Sequence, residues 1–248
     1  MRNQINTAII IPVRLAATRL PNKPLLLIDN EPMVLQVWKR AIESKLGRVI
    51  VATDSEEIGK IISNNGGDYC MTSNMHQSGS DRIYEALMSS EDNSDIDYII
   101  NLQGDLPNIN SKSLDLVLKI IEDTDFDIGT LVAQINDKDE YNNPNIVKAV
   151  CRFKENQINT EALDFVRRPN NHSLNNLYHH IGIYSYKREA LKKFIESERG
   201  NREQELKLEQ LRALDNNLSI GATLIDFLPI GVDTHEDLQR VKKVMELK

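Results

Sequence analysis

Short apolar runs alternate in the first half of the chain with segments whose apolar residues recur every three or four positions. The runs have the length of buried strands, and the longer spacing is typical of helices with one apolar face. The pattern predicts strands over 7–13, 48–52, 69–71 and 97–102, and helices over 33–44, 55–65, from about 81, and over 111–122. This strand–helix alternation favours an α/β fold with a doubly wound, mostly parallel sheet.

Capping residues support the helix predicted over 55–65. Asp54 precedes it as an N-cap residue, and Glu57 follows three positions later. Gly66 and Gly67 then provide a stop, because glycine adopts the left-handed conformation that ends helices.

The pattern changes after residue 122. Strand-like segments at 128–133, 147–153 and 180–186 are separated by Asn-rich loops. We predict that the chain is a single domain, 1–248, with a smaller inserted β-rich lobe at about 128–190. One helix over 203–215, a strand over 222–228 and a closing helix complete the prediction.

Composition narrows the class of partner. The chain has 248 residues and a net charge of −7, which argues against a nucleic-acid groove or a basic membrane patch. No apolar run approaches the roughly 18 to 20 residues of a membrane span, and the first residues do not form a signal-peptide core. We therefore expect a cytoplasmic protein with a small-molecule partner, no nucleic acid and no membrane insertion.

Three cations follow the first predicted strand, in what we call the basic loop (residues 14–23). Arg14, Arg19 and Lys23 stand where open α/β sheets bind ligands, and their side chains suit a phosphate chain. The loop lacks the glycine patterns of dinucleotide and P-loop sites, so a nucleotide would be held in another way. The alternative is a solvated surface loop.

Two aspartates could hold a divalent cation. Asp105 follows the strand predicted over 97–102, and Asp233 precedes the closing helix. Mg²⁺ is typically held by one or two carboxylates together with substrate phosphates. The alternatives are that Asp105 is an ordinary turn residue and that Asp233 or Thr234 caps the last helix.

Two further segments carry polar groups. The turn over 76–82 offers hydroxyls, backbone N–H groups and one arginine near a helix start, which suits a base, a ribose or a carboxylate. His179 and His180 precede the alternating residues 181–186. The outward side chains of this strand could contact a sugar or a neighbouring subunit, but a histidine in such a strand serves structure more often than catalysis.

Eight segments, in this order, resemble the 3-deoxy-manno-octulosonate (Kdo) cytidylyltransferase family: IIPVRLAATRLPNKPL, VIVATDSEEI, HQSGSDRI, NLQGDLP, NIVKAV, HHIGIYSYK, LEQLRAL and GVDTHEDL. The resemblance runs from about Ala8 to Leu238. It implies a nucleotidyltransferase-type α/β fold and a Mg²⁺-dependent homodimer. The implied reaction couples CTP to the sugar acid Kdo, giving CMP-Kdo and pyrophosphate for lipopolysaccharide assembly.

The resemblance also implies roles for individual residues. The nucleotide would be bound by Arg14, Arg19, Lys23, Ser78, Gly79 and Gln103. The sugar acid would be bound by Gln103, Arg167, His180, Tyr184, Glu209 and Gln210. Asp105 and Asp233 would hold the metal, and the catalytic set would be Arg19, Lys23, Asp105 and Asp233.

The chain departs from the family pattern at several positions. Leu15, Ala17 and Asn22 replace Tyr, Ser and Gly in the basic loop, and Leu106 replaces a glutamate. Other readings are a related sugar acid such as 8-amino-Kdo, another nucleoside triphosphate, a metal-dependent glycosyltransferase, or a non-catalytic nucleotide sensor. Pro107 argues against the glycosyltransferase because it breaks an Asp-x-Asp motif, and two retained carboxylates argue against the sensor.

Overall fold

The computed structural model describes residues 6–16, 20–90, 93–169 and 174–246. Contacts divide the chain into unit 1, residues 1–115 and 229–248, and unit 2, residues 116–228. Unit 2 extends beyond both ends of the lobe predicted at about 128–190, and the single domain stays a prediction. In the described part of the chain, no helix is long and apolar enough to cross a membrane.

The strands of unit 1 form a parallel sheet and a small hairpin. They are β1 (Thr7–Val13), β2 (Leu27–Ile28), β3 (Glu31–Pro32), β4 (Arg48–Thr53), β5 (Asp68–Met71) and β6 (Tyr98–Asn101). The sheet order is β5, β4, β1, β6, with every neighbouring pair parallel, while β2 and β3 pair antiparallel. Ile9, Ile10 and Ile11 in β1 are fully buried, as expected of a central parallel strand. The strand–helix alternation predicted from the sequence is confirmed here.

The helices lie close to the predicted positions in unit 1 and less so in unit 2. They are α1 (Met33–Ser44), α2 (Glu56–Asn64), α3 (Gly79–Met88), α4 (Ser111–Glu122), α5 (Lys138–Asn142), α6 (Arg188–Glu196), α7 (Asn201–Leu206), α8 (Leu211–Asp215) and α9 (His235–Glu246). Single-turn 3-10 helices lie at Lys23–Leu25, Asn93–Asp95 and Leu174–Asn176. The sequence did not predict α5 or α6.

The cap of α2 lies one residue later than predicted. Ser55 is the N-cap residue, and its hydroxyl accepts a hydrogen bond from the backbone N–H of Ile58 at 3.4 Å. The prediction of Asp54 was wrong, since its carboxylate accepts from Arg82 instead, at 2.9 Å. The predicted stop is confirmed, because Gly66 takes a φ of 78° directly after the helix end.

Unit 2 is built on a mostly antiparallel sheet. Its strands are β7 (Ile128–Gln134), β8 (Lys148–Cys151), β9 (Asn159–Val166), β10 (Leu177–Lys187) and β11 (Ile220–Ile225). The order is β10, β7, β11, β9, β8. Because β8 also pairs with the first residues of β10, the five strands form a closed ring of pairings. The β11–β7 pair is parallel and the others are antiparallel. The sequence did not predict β9.

The single helix predicted over 203–215 is two helices, α7 and α8. Lys207 ends α7 with a φ of 53°, in the left-handed region. The guanidinium of Arg167 donates to the carbonyls of Leu206 and Lys207, at 2.6 and 3.1 Å from the two oxygens. The left-handed backbone at Lys207 breaks the helical ladder, and Arg167 binds carbonyls at the end of α7, so the prediction of one helix was wrong.

A buried ion pair connects α7 to α8. Arg212 is 1% exposed and donates to both carboxylate oxygens of Glu203, at 2.8 and 2.6 Å. Its guanidinium carbon also lies 4.5 Å from the centre of the Phe194 ring. Removing Arg212 leaves Glu203 charged and buried, with Arg199 Nε, 3.8 Å from its carboxylate, as a partner beyond hydrogen-bond distance.

We predict that Arg212→Met lowers the free energy of unfolding by about 3 to 5 kcal/mol, because Glu203 would keep a buried charge. Lys60→Met is the control, since Lys60 and Glu56 form an exposed pair of at most about 0.5 kcal/mol. Urea unfolding of both variants measures the difference. Equal losses would show that the buried pair does not stabilise unit 2.

Candidate active site

A cleft of about 320 Å³ lies in unit 1, at the carboxyl ends of β1 and β6. Ligands bind at this edge of open α/β sheets. Gly104 lets the two strand ends approach, since a Cβ there would lie 2.8 Å from a methyl carbon of Val13 and 3.3 Å from the carbonyl oxygen of Pro12. The predicted site residues that line the cleft are Arg14, Lys23, Ser78, Gly79, Gln103, Asp105 and Asp233.

Lys23 connects the two predicted metal ligands. Its ammonium lies 2.7 Å from Asp105 Oδ2 and 3.1 Å from Asp233 Oδ1. Burial lowers the pKa of Lys23, but the charges of the two carboxylates outweigh it, so that the pKa is raised from its ordinary value. The ammonium therefore stays charged and holds two carboxylates that would otherwise repel each other.

The backbone at Asn22 positions Lys23. Asn22 has a φ of 54° and precedes the 3-10 helix that begins at Lys23. Asparagine adopts this left-handed conformation more readily than other residues with a side chain, and glycine adopts it freely. Asn22 can therefore stand where the family pattern has glycine. Arg14 is exposed and also lines the cleft, whereas Arg19 and Ala17 lie outside the described residues.

Main-chain contacts bring Asp233 to Asp105. The N–H of Val232 donates to the carbonyl of Asp105 at 3.0 Å, and the N–H of Ile230 donates to the side chain of Asn108 at 2.9 Å. The segment before α9 is thereby bound to the turn after β6. Both aspartates reach the cleft although they are distant in sequence.

Thr234, and not Asp233, caps α9. The Thr234 hydroxyl accepts from the N–H of Asp237 at 3.2 Å, and the Asp237 carboxylate accepts from the N–H of Thr234 at 3.0 Å. These reciprocal bonds form a capping box. The capping role considered for Asp233 is thus filled by its neighbour, and the Asp233 carboxylate faces Lys23.

The first turn of α3 forms another wall of the cleft. Ser78 caps the helix, accepting from the N–H of Asp81 at 3.2 Å and donating to its carboxylate at 2.8 Å. The Gln103 amide donates to Asn101 Oδ1 at 3.1 Å, and a Cβ on Gly79 would lie 3.8 Å from either polar atom of that amide. The N–H groups of a helix start suit an anion or a hydroxyl oxygen.

The ion pair of Arg82 with Asp54, beneath this wall, was not predicted from the sequence. Arg82 donates to Asp54 at 2.9 Å and to the Thr72 hydroxyl at 2.5 Å. Asp54 also accepts from the N–H of Leu15 at 3.4 Å. The pair thereby connects the basic loop to α3. Its signal in the sequence is that Asp54 directly follows β4, at the ligand edge of the sheet.

Leu106 does not present a polar group to the cleft. Its side chain is buried, and a Cβ on Gly231 would lie 3.8 Å from one of its methyl carbons. The position that carries a glutamate in the family pattern is therefore part of the apolar packing of unit 1 in this chain.

Except for Gln103, the residues predicted to bind the sugar acid lie in unit 2. The rings of His180 and Tyr184 have their centres 5.5 Å apart. Burial, helped by the His179 charge, lowers the pKa of His180 to about 3. Burial raises the pKa of Tyr184, and Tyr186 and Glu209 raise it further. Both side chains are therefore neutral near pH 7.

Arg167 and Gln210 have different surroundings. The Arg167 guanidinium donates to the carbonyl of Pro144 at 3.2 Å, in addition to its bonds to Leu206 and Lys207. A sugar carboxylate would have to compete with these three carbonyls for the guanidinium. The role of Arg167 in binding the sugar acid therefore stays a prediction. Gln210 is buried at the start of α8, next to Glu209.

A parallel α/β sheet with cations and carboxylates at its ligand edge suits the binding of a nucleotide, and the matches to known proteins place this chain in the class of nucleotidyltransferases. A family model described as cytidylyltransferase matches residues 8–220. A 3-deoxy-manno-octulosonate cytidylyltransferase of Bartonella bacilliformis is 44% identical over 96% of this chain and 97% of its own length. One of Bradyrhizobium sp. is 45% identical over 96% of each chain.

The comparison with solved structures indicates the same family. A solved structure of CMP:2-keto-3-deoxy-manno-octonic acid synthetase complexed with CTP is 32% identical, with a TM-score of 0.87 over 97% of this chain and 98% of that one. This chain therefore belongs to the 3-deoxy-manno-octulosonate cytidylyltransferase family.

Two substitutions separate capping from ligand binding at the start of α9. We expect Thr234→Ala to lower the free energy of unfolding by about 1 kcal/mol, because the capping hydroxyl is lost. Asp233→Ala should change it by less than about 1 kcal/mol, because its ion pair is half exposed. Alanine is used at both positions because asparagine caps a helix as well as aspartate does. Thermal or urea unfolding measures both, and a loss in Asp233→Ala as large as that in Thr234→Ala would return the capping role to Asp233.

The low pKa of His180 predicts a pH-dependent stability. The folded pKa of about 3 lies below the ordinary value of 6.5, so the unfolded chain binds the proton more readily. Stability is complete above pH 6.5 and is lost as the pH falls towards 3. Between pH 7.5 and 5, the wild type should lose about 2 kcal/mol more than His180→Gln. Parallel stability curves for the two proteins would contradict this.

Proposed function

We propose that this protein transfers the cytidylyl group of CTP to 3-deoxy-manno-octulosonate and releases pyrophosphate. The observation that carries the proposal is the cluster of Lys23, Asp105 and Asp233 in the cleft of unit 1. Family membership supports the choice of nucleotide and of sugar acid. On the resemblance alone, we further propose a homodimer that acts in the cytoplasm for lipopolysaccharide assembly.

The cleft provides the groups that a triphosphate requires. Lys23 and Arg14 offer positive charge, and the start of α3 offers N–H groups next to Gly79. Gln103, oriented by its bond to Asn101, would contact the base or the sugar acid. Arg19 would join the same phosphates from the basic loop.

The proposed reaction is a direct displacement. The anomeric hydroxyl oxygen of the sugar acid forms a bond to the α-phosphorus, and the bond from that phosphorus to the pyrophosphate oxygen breaks. The hydroxyl gives up its proton, and pyrophosphate carries away the electron pair. In this type of transfer, positioning and charge stabilisation supply most of the catalysis. Lys23 and Arg19 would stabilise the departing pyrophosphate.

Asp105 and Asp233 suit a Mg²⁺ ion, because both carboxylates reach one cationic atom in this structure. Two carboxylates with substrate phosphates and water make a typical magnesium site. In the described part of the chain, no group of three or more His, Cys, Asp or Glu residues could hold a metal alone. A bound Mg²⁺ would supply charge neutralisation at the α-phosphate and would lower the pKa of the attacking hydroxyl.

The sugar acid would be recognised by polar and charged groups of unit 2. His180, Tyr184, Glu209 and Gln210 offer hydrogen-bonding groups, and Arg167 offers a positive charge. A panel of sugar acids that includes 8-amino-Kdo, tested with each nucleoside triphosphate, distinguishes among the substrates. Release of a nucleoside diphosphate from a sugar nucleotide would instead support a glycosyltransferase.

The decisive experiment measures pyrophosphate release from CTP and Kdo in the presence of Mg²⁺. We expect Asp105→Asn and Asp233→Asn each to lose roughly 10²-fold or more in turnover while remaining folded. The double variant should be little worse than the worse single variant, because residues that act as a unit are not additive. Thr234→Ala is the matched control and should keep its activity. Near-normal turnover in Asp105→Asn would refute the mechanism.

We expect Lys23 to act mainly in the binding and use of CTP. Lys23→Ala is expected to weaken the use of CTP by about 1.5 to 3 kcal/mol, the range of a hydrogen bond to a charged group. Lys60→Ala, on the exposed face of α2, is the control with an equal change of net charge. Steady-state kinetics with varied CTP measure the effect. Unchanged CTP saturation and turnover would show that Lys23 does not contact the triphosphate.

A further inference from the structure

An irregularity in β10 lies between His180 and Tyr184. In the pairing with β7, Ile181 lies opposite Leu131, but Tyr184 lies opposite Thr130. Two residues, Gly182 and Ile183, are therefore extra on the β10 side, and the strand bulges. Because of this bulge the carbonyls of Ile181 and Ile183 need a donor other than the regular ladder.

The hydroxyl of Thr130 provides this donor. Thr130 is fully buried, and its oxygen lies 2.9 Å from the carbonyl oxygen of Ile183 and 3.3 Å from that of Ile181. The same oxygen lies 3.1 Å from Nε2 of His180. One threonine hydroxyl thus contacts both bulge carbonyls and the histidine ring.

The count of hydrogens decides which partner donates. A hydroxyl has one hydrogen and two lone pairs, and a carbonyl oxygen can only accept. The hydrogen of Thr130 must therefore point to the carbonyls, since otherwise two carbonyl oxygens would face a lone pair. Towards His180 the hydroxyl can then only accept, so Nε2 carries a hydrogen and Nδ1 carries a lone pair.

The surroundings keep the ring neutral and fix its orientation. Phe165 packs edge-on against His180 with ring centres 4.9 Å apart, and Tyr184 lies on another side. His180 keeps an exposed fraction of 9%. In the described part of the chain, no hydrogen-bond donor pairs with Nδ1. The open lone pair is therefore suited to a ligand that donates.

We propose that Thr130 is a positioning residue which holds His180 as the Nε2–H tautomer, so that Nδ1 accepts a hydrogen bond from a hydroxyl group of the sugar acid. This inference rests on the proposed function and specifies which group of the substrate His180 recognises. An acceptor nitrogen repels a carboxylate oxygen, so the carboxylate of the sugar acid must bind elsewhere. His180 then selects for the polyol part of the substrate.

The first test reads the tautomer in the free protein. The ¹⁵N chemical shifts of a histidine ring distinguish a nitrogen that carries hydrogen from one that carries a lone pair. With His180→Gln used to assign the signals, we expect Nε2–H in the wild type and in Thr130→Ser. Thr130→Val, which is similar in shape but lacks the hydroxyl, should lose this preference. An Nδ1–H tautomer in the wild type would overturn the inference.

The second test separates positioning from folding. In Thr130→Val, KM for the sugar acid should rise about tenfold, the scale of one hydrogen bond, while KM for CTP stays unchanged. Thr130→Ser should restore the wild-type value because it keeps the hydroxyl. Binding of the sugar acid should also shift the Nδ1 signal of the wild type.

The outcomes distinguish this inference from the proposed function. If the wild type releases no pyrophosphate from CTP and the sugar acid, the proposed function fails. If the wild type releases pyrophosphate but the Nδ1 chemical shift does not change on addition of the sugar acid, only the role of Thr130 and His180 is overturned. The same conclusion follows if Thr130→Val keeps the wild-type tautomer and the wild-type KM for the sugar acid. If Thr130→Val does not fold, the tautomer of the wild type and the kinetics of Thr130→Ser still decide, because a raised KM in Thr130→Ser would also contradict the inference.

Discussion

The contact of Lys23 with Asp105 and Asp233 is the interaction on which the site depends. Three segments that are far apart in sequence converge there: the basic loop after β1, the turn after β6 and the segment before α9. Two carboxylates in a partly buried cleft repel each other unless a cation lies between them. The ammonium of Lys23 provides that cation and keeps the carboxylates aimed at one point.

The backbone makes this convergence possible. Gly104 removes the Cβ that would collide with Val13, and the N–H of Val232 binds the carbonyl of Asp105. Thr234 then caps α9, so the carboxylate of Asp233 is available to the cleft. No single side chain could bring the two aspartates together, because each of these contacts positions a different segment of the chain.

The sequence predicts what depends on local pattern and fails where tertiary contacts decide. The buried isoleucines of β1 predict a central strand, and a central strand places the basic loop at the ligand edge. The capping role of Asp54 was wrong because Arg82, from another helix, binds its carboxylate. The single helix over 203–215 was wrong because the backbone at Lys207 is left-handed, and Arg167 binds the carbonyls of Leu206 and Lys207 there. No periodicity in the chain encodes either arginine contact.

The cleft of unit 1 and the His180–Tyr184 pair of unit 2 differ in charge, although unit 2 also contains the buried ions Arg212 and Glu203. In the cleft of unit 1, the carboxylates of Asp105 and Asp233 raise the pKa of Lys23, so its ammonium stays charged. In unit 2, burial lowers the pKa of His180 and raises that of Tyr184, so both rings are uncharged. In the proposed role, a neutral acceptor and a neutral hydroxyl would discriminate among the hydroxyl groups of the sugar acid by the direction of hydrogen bonds, without attracting an ion of either sign. Because the bulge of β10 takes up the residues between them, the rings of His180 and Tyr184 lie side by side, with their centres 5.5 Å apart.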